Sequence, residues 1–189
     1  MGTPLSTAET HRYVALLRAI NVGGHIVKMD RLRALFEDLG LANVATFIAS
    51  GNVIFDSPST DTRALERQIE AHLKESLGYA VDTFIRTPAE LAAIVDHAPF
   101  PGEDEADRHA LYVTFVREPL GADARGRLSA FCTPTDEFHA HQREVYWLCR
   151  IKMSDSPITG ARLEKAYGGS GTMRNVTTVR KLAAKYADT

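Results

Sequence analysis

The chain has 189 residues, 44% of them hydrophobic and 24% charged, with a net charge of -2, which is room for one full-sized domain or two small subdomains around a buried core. That charge balance excludes a general attraction to phosphate backbones or anionic lipid, and no apolar run approaches the length that spans a bilayer. Two cysteines, Cys132 and Cys149, are too few for a secreted disulfide framework and lack a C-x-x-C partner spacing, so the expected setting is the reducing cytoplasm, with no cofactor and no metal.

Residues 1–11 are polar, lack the apolar run of a signal peptide, and are read as a disordered head. Tyr13 to Ile20 is apolar on both alternating faces, a central strand running into Asn21-Val22-Gly23-Gly24. Met29, Leu32, Leu35, Phe36 and Leu39 share one helical stripe that Gly40 ends. Val44 to Ala49 and Val53 to Phe55 flank Ser50-Gly51-Asn52 as a hairpin. A second helix carries Leu65, Ile69, Leu73 and Leu77 to a stop at Gly78, and Ala80 to Arg86 returns to strand. Residues 12–87 therefore read β-α-β-β-α-β.

Thr87-Pro88-Ala89-Glu90 opens a helix to about His97, with the cap residue, first-turn proline and third-position glutamate of a capping box. That helix and an acidic loop form a connector over residues 88–107. Residues 108–189 repeat the grammar: a strand over Ala110 to Val116, a helix before Phe131, strands near Phe138 and at Val145 to Cys149, and a helix opened by Ser156-Pro157. The last strand is reduced or absent near Met173, and Asn175 caps a closing helix. The expected fold class is α+β, two ferredoxin-like subdomains in one body.

In a β-α-β-β-α-β unit the first and second strands run parallel with the third antiparallel between them. The Gly23-Gly24 loop, the Ser50-Gly51-Asn52 hairpin and the Gly78 turn then share one end of the sheet, beside the start of the first helix. Free backbone N–H groups there can form an anion-binding concavity, flanked by Arg18 and Lys28. The competing reading is that these glycines only supply positive φ for turns, and neither G-x-G-x-x-G nor G-x-x-x-x-G-K-[ST] occurs.

Arg174, just ahead of the closing helix, is either a bidentate anion clamp or a solvated surface arginine. His139 and His141, two apart, would face one side of a strand and offer metal ligands with Glu137 or Glu144. With no further His or Cys cluster to complete a shell, they read as polar residues on a solvent-facing strand. Cys132 reads as a small buried hydrophobe, and His25 as a loop residue with room for acid–base work.

Arg12-Tyr13-Val14-Ala15-Leu16-Leu17-Arg18-Ala19-Ile20-Asn21-Val22-Gly23-Gly24, Lys28-Met29, Ser50-Gly51-Asn52-Val53-Ile54-Phe55, and Thr172-Met173-Arg174-Asn175 with Thr178-Val179 and Lys181-Leu182-Ala183 together resemble the bacterial "domain of unknown function 1697" family. The resemblance implies two ferredoxin-like subdomains and supplies no catalytic residue. Ala19 departs from it, since the family pattern has glycine there.

The leading expectation is a small-ligand protein taking a phosphate- or carboxylate-bearing metabolite, with Arg18, Asn21, Gly23, Gly24, Lys28, Ser50, Gly51, Asn52, Arg174 and Asn175 as candidate contacts. If a reaction occurs, electrostatic stabilisation of an anion is the mechanism these residues motivate, and no general base is identified. The alternatives are single-stranded nucleic acid stacked on Tyr13, Phe47 and Phe55, or a partner-binding or oligomeric scaffold without catalysis.

Overall fold

Strand β1 (His11–Leu17) is buried on both faces over Tyr13 to Leu17, as its continuous apolar run dictates. The structure is a computed structural model and describes residues 9–21, 23–48, 50–103 and 109–186. The predicted disordered head falls mostly outside this range, at residues 1–8, and His11 already belongs to β1. The chain divides into two units between Thr87 and Pro88.

In the first unit, helix α1 (Met29–Glu37) turns Leu32, Leu35 and Phe36 inward. Strands β2 (Ala42–Phe47) and β3 (Asn52–Ser57) pair as a hairpin. Helix α2 (Thr62–Leu77) begins at Asp61, whose side chain accepts from the Ala64 N–H, and ends at Gly78 with φ 82. Strand β4 (Thr83–Arg86) completes a sheet ordered β2-β3-β1-β4, every neighbour antiparallel. Strands β1 and β2 are thus parallel with β3 between them, as expected. One sheet face packs Ala15, Val53 and Ile85 against Leu32, Phe36 and Ile69 of the helices, each large side chain contributing about 1.5–3 kcal/mol on burial.

Strand β1 stops at Leu17, short of the predicted Ile20, because Ala19 turns the chain with φ 57. A left-handed conformation costs a residue with a Cβ about 1–2 kcal/mol. Ala19→Gly relieves that strain and loosens the unfolded chain, so it should stabilise the protein by a net 0.5–1 kcal/mol, roughly. A urea midpoint equal to or below that of the parent protein would contradict this.

The second unit opens with α3 (Pro88–Asp96), read from sequence as a connector. It is instead tied to its own unit: Tyr146 donates its hydroxyl to Ile94 O at 3.4 Å, and Glu90 pairs with Arg143 at 2.5 Å. Then come β5 (Ala110–Val116), α4 (Ala122–Ser129), β6 (Asp136–His141), β7 (Glu144–Cys149), α5 (Gly160–Tyr167), β8 (Gly171–Asn175) and α6 (Val176–Tyr186). The sheet order is β6-β7-β5-β8, again antiparallel throughout.

The strand expected to be reduced or absent is β8, present over five residues and paired with β5 from Tyr112 to Val116. Helix α5 starts beyond Ser156-Pro157, because Thr159 is its cap and accepts from the Arg162 N–H. Leu128, Val145, Trp147, Cys149 and Leu163 form the core between this sheet and α4 and α5. Cys149 therefore takes the buried role expected of Cys132, which is exposed beyond the end of α4. Of the acidic loop, residues 104–108 lie outside the described residues. Glu103 is no free solvent carboxylate, since Arg150 donates to both its oxygens at 3.1 and 2.8 Å.

Candidate functional site

The Ser50-Gly51-Asn52 hairpin closes against the end of β1 and Ile20 beyond it. Leu17 N–H donates to Gly51 O at 2.8 Å, and a Cβ on Gly51 would lie 2.6 Å from Ile20 Cγ2. The Gly78 turn joins the same rim, for the Tyr79 hydroxyl donates to Ile20 O at 3.1 Å and the Tyr79 ring stacks on His25 at 3.9 Å. Arg18 N–H donates to Asp82 O, and its guanidinium approaches the Asp82 carboxylate at 3.8 Å. Both side chains are about a third exposed, so this ion pair is weak.

Three of the predicted polar contacts have structural work here. Asn21 Oδ1 accepts the Val27 N–H at 2.7 Å and closes the loop over Val27, which is buried. Asn52, fully buried, donates its amide to Phe47 O at 3.1 Å and Ser50 Oγ at 2.8 Å, setting the hairpin. Gly23 and Gly24 have φ 64 and 90, with nothing within 4 Å of where a Cβ would stand, so their backbone is open. Lys28 is exposed at the N-cap position of α1, and no side chain there caps the first-turn amides. Asp30 shares that turn, ion-paired with Arg33 at 3.4 Å, its carboxylate 92% exposed.

The rim also carries apolar surface where water would be expected. Ile26 is 87% exposed and Ile48 is 53% exposed. Ile48 moreover has φ 51, a conformation that sterically penalises a β-branched residue and that folded proteins keep chiefly at working sites.

Arg174 and Asn175 belong to the second unit. Arg174 is neither a surface arginine nor an exposed clamp: it lies on β8, 8% exposed, and donates to Thr172 Oγ1 at 2.8 Å and Met173 O at 2.9 Å. Burial brings its pKa down to about 10. Asn175 accepts the Thr177 N–H at 2.8 Å and caps α6 as expected. Tyr13 and Phe55, offered as a nucleic-acid stacking platform, are buried under α1 and α2, because their register places them on the helix-covered face.

A set that local sequence reading missed lies on β6. His139 and His141 do face one side of this edge strand, and His97, directly after α3, joins them. One ligand nitrogen from each lies within 4.8 Å of the others. The His97 ring stacks on His141 at 4.1 Å and tilts toward His139 at 5.3 Å. His97 and His139 both titrate below the ordinary histidine range, chiefly because burial disfavours the cation, with His141 adding repulsion. The signal available in sequence was the alternating His pair; the third member comes from an element far away along the chain.

A family profile described as "Protein of unknown function (DUF1697)" matches residues 10–146, a span that ends before the Thr172-Met173-Arg174-Asn175 block. No curated protein matches the chain. Among solved structures, the chain is similar to the conserved bacterial protein SP0830 from Streptococcus pneumoniae, at 22% identity and a TM-score of 0.72, over 93% of this chain and 98% of that one. At that identity the likeness speaks for the fold alone. Among the described residues no helix is long and apolar enough to cross a membrane.

Proposed function

The chain belongs to the DUF1697 family, whose description carries no activity, and we propose from its geometry that it binds a small anionic ligand at the rim of the first unit. The observation that carries this reading is an open Gly23-Gly24 backbone just ahead of α1, whose N-cap residue, exposed Lys28, makes no side-chain cap. Helix-start amides that the N-cap side chain does not cap, together with the helix dipole, favour an anion there. Ile26 and Ile48 give the ligand's apolar portion a surface, so a phosphate or carboxylate borne on a nucleoside, sugar or acyl group fits better than a bare ion.

The contact list narrows accordingly. Lys28, Arg18 and the amides of Gly23 and Gly24 are the ligand contacts, while Asn21, Ser50, Gly51 and Asn52 hold the turns. Each unit is read as a ferredoxin-like half, on the strength of its strand order, and the protein as one acting in a bacterial cytoplasm. A thermal-shift panel of nucleotides, sugar phosphates and acyl phosphates tests the reading. A ligand at a hundred times its Kd adds about 2.7 kcal/mol of stability, and Lys28→Ala, altering an exposed side chain, should abolish most of that rise. A panel without any rise in Tm, or a rise undiminished in Lys28→Ala, would contradict it.

A further inference from the structure

We propose that His97, His139 and His141 of the second unit form a binding site for one divalent transition-metal ion, zinc being the best fit. This is independent of the anion reading, which concerns the first unit. Three imidazoles suit zinc, copper, nickel or cobalt, and exclude the hard oxygen-loving cations. Zinc with three protein nitrogens keeps a fourth position for water or an anion, the arrangement of a reactive centre.

The geometry is built from two rigid supports. Residues 139 and 141 project from one face of β6, whose register against β7 sets Tyr146 opposite His139 and Glu144 opposite His141. His97 is fixed at the end of α3, where its backbone N–H donates to Ala93 O at 3.1 Å. Its Nε2 is buried and has no hydrogen-bond partner among the described residues, an orphaned polar atom of the kind folded proteins avoid unless something binds it. Coordination by that nitrogen satisfies it. Tetrahedral zinc with bonds of 2.0–2.1 Å needs nitrogens about 3.3 Å apart, so the present separations, within 4.8 Å, shorten when the ion binds. His141 is the exposed member and the one with room to turn out of its stack on His97. Tyr146 backs the site: its ring lies 5.2 Å from that of His97, and its hydroxyl is committed to Ile94 O. The last carbonyls of α3 add the negative end of a helix dipole beside the cation.

The test is calorimetric titration of the whole, chelator-treated protein with zinc chloride, repeated with cobalt chloride while recording visible spectra. One zinc per chain is expected, with the intense d–d bands of four-coordinate cobalt. His141→Ala, at an exposed position, and His97→Ala should each weaken binding by at least about tenfold, while His25→Ala in the first unit leaves it unchanged. Should His97→Ala fail to fold, His141→Ala decides alone. Absence of stoichiometric binding, or binding undiminished in His141→Ala, would overturn the proposal.

Discussion

Gly51→Ala should lower stability by about 2–5 kcal/mol, the largest effect expected of any single methyl group in the first unit. Two costs add. Gly51 sits at φ 74, where a side chain costs about 1–2 kcal/mol. The new Cβ would stand 2.6 Å from Ile20 Cγ2 and 3.1 Å from Leu17 Cβ, and both neighbours are almost fully buried, so overpacking adds about 1–3 kcal/mol. Relief by shifting the hairpin would stretch the Leu17 N–H to Gly51 O bond that ties the hairpin to the end of β1. Thermal denaturation followed by circular dichroism should show a loss of roughly 10 °C. Gly23→Ala is the control: its φ is 64 but nothing lies within 4 Å, so only the conformational cost of about 1–2 kcal/mol applies. Equal, small losses for the two variants would contradict the close packing of the hairpin on Ile20.

Asp136→Ala should cost about 3 kcal/mol in the second unit. This fully buried carboxylate accepts from Trp147 Nε1 and Ser156 Oγ, each at 2.9 Å, and from the hydroxyls of Thr135 and Thr133 at 2.9 and 3.1 Å. Its removal orphans the indole N–H of buried Trp147, and a lost bond to a charged acceptor costs about 1.5–3 kcal/mol. Asp136→Asn keeps the shape and one acceptor and should cost about 1 kcal/mol. Burial pushes the Asp136 carboxyl up, but the donors Thr135, Ser156, Trp147 and Thr133 outweigh it and leave it below the usual range. Asp56 is likewise held low, first by its hydrogen bond from Arg12, against burial, with help from Asn43. The sign follows from these depressed values. The unfolded chain binds these protons first, so the stabilisation is complete above the unfolded aspartate pKa of about 3.9 and is lost as pH falls through the lower folded values. Urea midpoints measured from pH 6 to 2.5 should therefore fall less steeply in Asp136→Ala than in the parent; parallel curves would contradict the carboxylate's role.

The parts of the fold legible in sequence were those decided locally. Strand β5 follows from an apolar run buried on nearly every position, and Gly78 ends α2 because the chain needs a left-handed residue there. Strand β1 ends at Leu17, short of the Ile20 its apolar run suggests, because Ala19 makes a turn without the glycine that normally announces one. That β1 and β2 run to one edge of the sheet is legible from the expected strand directions, since both are antiparallel to β3. What each polar residue does there is not. Asn21 and Asn52 are consumed by backbone groups of their own loops, which depends on how the loops close. Arg174 reads as polar and near a helix, yet β8 carries it into the interior. His97 joins His139 and His141 through tertiary packing of α3, which leaves no trace in local periodicity.

The rim reading meets its most direct test in nitrogen-15 amide spectra of the whole chain titrated with inorganic phosphate and then with a nucleotide. Saturable shifts confined to Gly23, Gly24 and the first turn of α1, tighter for the nucleotide and lost in Lys28→Ala, are the predicted result. Shifts that never saturate, or that gather on the basic shelf of Arg127, Arg162 and Lys165 around Phe131 in the second unit, would contradict it.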